Sequence, residues 1–124
     1  MATRDVTIVR RLFEAHRRDD GGTFVELLHP DVEFLGRTDT ERVFRGRGEM
    51  RTWFREVRLA GVEIDAVPQD YEDRGDHVIV VGRLRIWNGG ALKDAEATWC
   101  FELEDGLVRR IVPLDERRTD GETV

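Results

Sequence analysis

Three titratable side chains stand where the hydrophobic pattern can turn them toward an interior. His16 falls on the apolar face of a helical run that also carries Val6, Val9, Leu12 and Phe13. Imidazole titrates near neutrality, so a histidine there suits general acid–base work. The plainer reading is a rim histidine hydrogen-bonded to backbone. Asp65 sits in a strand-like run and faces inward only if that run has no bulge near Pro68. Arg110 faces Phe101 if Asp105-Gly106 makes a two-residue turn, and then orients an anionic or carbonyl group. A longer turn with a bulge places Arg110 outside. Asp39 and Glu41 are further acids, expected in a water-exposed loop.

The remaining candidates point away from chemistry. His29 precedes Pro30 and reads as a helix-end residue. His77 opens a strand and pairs with Glu102 on its outer face. Three scattered histidines without carboxylates at ligand spacing make no metal site, and no cofactor is expected. Cys100 alternates outward from Trp99 and Phe101 and reads as a packing residue, with no basic partner to lower its pKa. The glycines at 46, 48, 89 and 90 serve turns and match no phosphate-binding fingerprint.

The elements that must position these groups are legible from turn chemistry and periodicity. His77–Trp87 runs into Asn88-Gly89-Gly90, and Asp94–Glu104 runs into Asp105-Gly106. Such dipeptides supply the positive φ that tight hairpins need. With Asn88 opposite Ala91, one face pairs Leu84 with Ala95, Gly82 with Ala97, Val80 with Trp99 and Val78 with Phe101. The other face pairs Arg85 with Asp94, Arg83 with Glu96, Val81 with Thr98 and Ile79 with Cys100. One register yields an apolar face and two opposite-charge pairs, which supports it.

Upstream, a helix spans about Asp5–Arg18 and ends at Asp19-Asp20-Gly21-Gly22. Thr23-x-x-Glu26 has the form of a capping box for a short helix through Leu28. Asp31–Leu35 is a short strand, Gly36–Val43 a polar loop, and Arg47–Val57 a helix with Met50, Trp53, Phe54 and Val57 as its stripe. Further strands span Val62–Glu72 and Leu107–Leu114. Helices segregated from an antiparallel meander predict an α+β fold.

The bulk numbers set limits. The chain has 124 residues, which fits one domain over 1–115 with a polar, flexible tail over 116–124. A net charge of −6, with arginines dispersed among acids, argues against nucleic acid. No apolar run is long enough for a membrane span. A single cysteine and no signal-like start point to the cytoplasm.

The order and spacing resemble the nuclear transport factor 2-like superfamily, in its SnoaL-like branch. Val9–Asp20, Leu27–Phe34, Phe44–Phe54, Asp76–Gly90 and Phe101–Leu114 carry the resemblance. It implies a cystatin-like cone: a curved antiparallel sheet wrapped around helices as an α+β barrel, with an apolar pocket. It also implies dimerisation through the outer sheet face, and activities that include steroid isomerisation, polyketide cyclisation and epoxide hydrolysis. Fold alone does not choose among these. The positions of the isomerase's tyrosine and two acids fall on Leu12, Gly36 and Trp99, which cannot do that work. The inward positions Val80, Gly82, Leu84 and Ile86 lack the acids of an epoxide hydrolase.

The expectation is therefore a small-molecule-binding protein with an apolar ligand; the alternative is an isomerase, cyclase or lyase acting on one. The expected pocket comprises Leu12, His16, Trp53, Phe54, Val80, Leu84, Trp99, Phe101, Arg110 and Val112. Aromatics on such stripes can equally be core. The expected partner is a second copy, docked through Ile79, Val81, Cys100 and Ile111.

Overall fold

The structure is a computed structural model and describes residues 3–35 and 43–114. Asp39, Glu41, Gly36 and the tail over 116–124 lie outside the described residues.

Helix α1 spans Arg4–Arg17. Thr3 caps it, its hydroxyl oxygen accepting from the Val6 amide at 3.2 Å. The predicted stripe Val6, Val9, Leu12 and Phe13 is buried, together with Ile8 and Ala15. Helix α2 is Gly21–Glu26 and starts earlier than expected. Asp20, not Thr23, is the cap: its carboxylate accepts from the Thr23 amide at 3.1 Å and the Thr23 hydroxyl at 2.7 Å. Strand β1, Leu28–Leu35, absorbs His29 and Pro30, which the sequence reading placed at a helix end. A short strand, β2 over Val43–Arg45, stands where the end of a loop was expected. Helix α3 is Gly46–Leu59. The Arg47 guanidinium ties it to the start of β1, donating to the Leu28 carbonyl through Nε at 2.9 Å and through a terminal nitrogen at 2.6 Å.

Four more strands complete the chain: β3 (Glu63–Asp73), β4 (His77–Asn88), β5 (Ala91–Glu104) and β6 (Leu107–Leu114). The β4–β5 register agrees with the sequence reading pair for pair, from Asn88–Ala91 back to His77–Glu102. Gly89 and Gly90 both take positive φ in the turn, as that register requires.

The sheet order is β2-β1-β6-β5-β4-β3. The expected all-antiparallel sheet is corrected in one place: β1 and β6 run parallel, so the sheet is mixed. The expected barrel does not close either; β2 and β3 remain as the two edges. The core lies between α1 and the inner sheet face. Phe13 meets Trp99 and Phe101 edge to face, at ring separations of 5.3 and 5.5 Å.

Two bulges decide which side chains face that core. In β3 the register shifts between Pro68 and Asp70. Tyr71 beyond the bulge and Ala66 before it both pair with inward residues, Val80 and Leu84. Asp65 consequently pairs with Arg85 on the opposite face. In β6 the Asp105-Gly106 turn has two residues, since Glu104 pairs with Leu107. The register then shifts, so that Glu102 pairs with Arg110 and Phe101 with Ile111.

Candidate functional site

The helices and the inner sheet face enclose a cavity of about 280 Å3. Leu12, Phe13 and His16 of α1 line one side, with Phe24 of α2 and with Met50 and Trp53 of α3. The sheet supplies Phe34, Leu35, Ile64, Ala66, Leu84, Ile86, Trp99, Phe101, Ile111 and Pro113. Among the described residues, every lining residue but His16 is apolar.

His16 sits in the last turn of α1. Its ring lies 6.0 Å from Phe24 and 6.1 Å from Phe54, centre to centre. Its Nδ1 is buried and makes no hydrogen bond to the described residues. Burial pushes the imidazole pKa below its ordinary value, while the Asp65 and Asp19 carboxylates pull it part of the way back. The ring is therefore neutral at pH 7, and its nitrogens can accept or donate one hydrogen bond each.

The other candidates are placed differently. Asp65 does not line the cavity; it stands at the β3 edge, 3.3 Å from the Arg17 Nε. Arg110 is turned outward by the β6 bulge, where it pairs with Glu33 at 3.4 Å and Glu102 at 3.5 Å. Val112 is outward for the same reason, opposite Cys100, whereas Ile111 is inward and 4% exposed. So Arg110 and Val112 leave the expected lining, and Ile111 leaves the expected outer face. Val80 is inward but fully buried, without reaching the cavity. Phe54 packs edge to face on Phe24 and Trp53 and lines an adjoining cleft instead. Leu12, His16, Trp53, Leu84, Trp99 and Phe101 do line the cavity.

The expected lining did not include Phe13, Phe24, Phe34, Leu35, Met50, Ile64, Ala66, Ile86, Ile111 or Pro113. Phe13 and Met50 are on the predicted apolar stripes, and alternation from Leu84 reaches Ile86. Ile64 and Ala66 need the β3 bulge to be known.

His29, Glu104 and Asp105 approach one another closely enough to suggest a metal. The imidazole does not suit that role. Its Nδ1 accepts from the Asp31 amide at 2.9 Å, which leaves the proton on Nε2, the nitrogen 3.9 Å from Glu104. Cys100 is half-buried on the outer face, and burial together with Glu102 raises its thiol pKa. That is the environment of an unreactive cysteine.

The family is settled by a match over residues 9–111 to the model of the SnoaL-like domain. The chain belongs to the SnoaL-like family. No curated protein matches this SnoaL-like chain. Its fold is shared by several solved structures. An NTF2-like protein of unknown function from Burkholderia pseudomallei superposes with TM-score 0.82 at 19% identity, over 91% of each chain. TerC, co-crystallised with polyporic acid, gives 0.78 at 18% identity, over 90% of this chain and 91% of its own. An LEH-like epoxide hydrolase of M. tuberculosis gives 0.76 at 16% identity, over 89% and 80%. At these identities the likeness speaks for the SnoaL-like fold. Among the described residues of this SnoaL-like protein, Leu12 and Trp99 occupy positions where the sequence reading placed two of the isomerase groups. No carboxylate lines the cavity among those residues.

Proposed function

We propose that the protein binds a small, largely apolar molecule in the cavity between α1, α3 and the sheet. The carrying observation is the lining itself: aliphatic and aromatic side chains around about 280 Å3, with His16 as the one titratable group among the described residues. The polyporic acid in the TerC structure is in keeping with this reading. The absence of lining carboxylates among the described residues argues against ketosteroid isomerisation and epoxide hydrolysis. A probe of the right chemistry is 2-methoxynaphthalene, titrated by calorimetry. Ala66→Phe places a ring in the cavity and should weaken binding at least tenfold. Unchanged affinity in Ala66→Phe would place the probe elsewhere.

A second reading is catalytic, as an isomerase, cyclase or lyase, and the place of His16 in the cavity lining favours it. A neutral imidazole in an apolar cavity can take a proton from carbon next to a carbonyl. Deuterium exchange into 2-tetralone tests this. Exchange no faster with wild type than with His16→Gln rules it out.

We also propose a homodimer through the outer sheet face. Ile79, Val81 and Cys100 share that face, and Val112 takes the place expected for Ile111. Val81 is 43% exposed there. Light scattering should give a dimer that Val81→Lys splits; a monomeric wild type would end the proposal.

A further inference from the structure

A second cleft, of about 590 Å3, adjoins the cavity between the C-terminal ends of α1 and α3 and the start of β3. His16, Trp53 and Ile64 border both spaces. The chemistry changes across that boundary. The inner side is apolar, whereas the outer side presents Arg17, Asp19, Arg58 and Glu63. Both arginines are already answered by carboxylates. Arg58 donates to Asp19 at 2.8 Å, and Arg17 lies 3.3 Å from Asp65. The outer cleft thus offers donors and acceptors with no excess of positive charge, and its acids oppose an anion. The inner cavity alone falls at the small end of ligand pockets, which run to about 300–1,000 Å3.

We propose that the two spaces form one site for an elongated, neutral amphipathic molecule. Its apolar rings fill the inner cavity, an oxygen at the boundary meets the His16 imidazole, and a hydroxylated tail lies in the outer cleft. The His16 ring borders both spaces and is the polar group there, and the paired charges of the cleft stay paired around the neutral tail. This rests on the reading that the inner cavity holds an apolar ligand.

Three ethers share one ring system and separate the cases: 2-methoxynaphthalene, 2-naphthyl β-glucoside and 2-naphthoxyacetate. Calorimetric titration of wild type should show the glucoside binding at least fivefold tighter than the methyl ether. Val62→Trp, which narrows the outer cleft, should remove that gain while the methyl ether stays within twofold. Val57→Trp makes the same test from α3 should Val62→Trp not fold. No gain from the sugar, or a gain that survives both variants, would overturn the proposal while leaving the inner cavity's role intact. A naphthoxyacetate tighter than the glucoside would overturn the neutral class. If the methyl ether itself does not bind wild type, both the cavity reading and this inference fall.

Discussion

Gly82 of β4 lies so close beneath Val67 of β3 that a β-carbon on it would overlap the Val67 carbonyl oxygen. The contact occurs next to the β3 bulge, where Pro68 pairs with Gly82 and the register then shifts to Asp70–Val81. A glycine lets the bulged backbone approach its partner. Gly82→Ala forces the edge strand away and should destabilise the protein by about 1–3 kcal/mol. Urea unfolding measures it; a midpoint equal to wild type would mean that β3 yields without cost.

The β6 bulge makes opposite predictions for two neighbouring residues. Arg110→Ala removes exposed ion pairs to Glu33 and Glu102 and should cost less than about 1 kcal/mol. It should leave affinity for 2-methoxynaphthalene unchanged. Ile111→Ala opens the core and should cost about 2–5 kcal/mol. Denaturation of the two variants side by side checks the placement, and a costlier Arg110→Ala would reverse it.

His16 links stability to pH. Its folded-state pKa is lowered by burial, so the unfolded chain binds the proton more readily. Its contribution is complete above the unfolded value near 6.5 and is lost as pH falls through the lower folded value. One proton limits the slope to about 1.4 kcal/mol per pH unit. Between about pH 7.5 and 5.5, a window that brackets the ordinary imidazole value, wild type should lose more stability than His16→Leu does. Parallel slopes would mean that the imidazole titrates as freely folded as unfolded.

The start of α2 depends on Asp20. Its carboxylate holds both the amide and the hydroxyl of Thr23. Asp20→Ala should lower the urea midpoint, and Glu26→Ala should lower it less. The reverse order would restore the capping box expected from Thr23 and Glu26.

The legibility of each element depends on how local its determinant is. The β4–β5 register could be read because Asn88-Gly89-Gly90 fixes it within a few residues and every cross-strand pair then agrees. The apolar stripe of α1, and His16 at its end, could be read from periodicity. The parallel β1–β6 pair could not, since Phe34 and Ile111 meet from distant parts of the chain with no turn between them. The bulges were legible only in part. Pro68 signals an edge or a bulge next to Gln69 without fixing which, nothing adjacent to Arg109 announces an extra residue, and each bulge inverts the alternation of the strand beyond it. That is why the sides of Asp65, Arg110, Val112 and Ile111 do not follow from alternation alone, while those of Leu84, Trp99 and Phe101 do.

The bulge in β3 also says how such a chain could acquire different chemistry. Strand side chains alternate, so a register slip of one residue turns over everything on one side of it. With Tyr71 kept in the core by Phe13, smoothing the bulge so that Gln69 pairs with Gly82 would bring Asp65 to the cavity wall in place of Ala66. Smoothing the β6 bulge so that Arg109 pairs with Glu102 would do the same for Arg110. The distance between a greasy container and a charged reaction chamber is, on this scaffold, a slip of one residue along a strand rather than a set of new side chains.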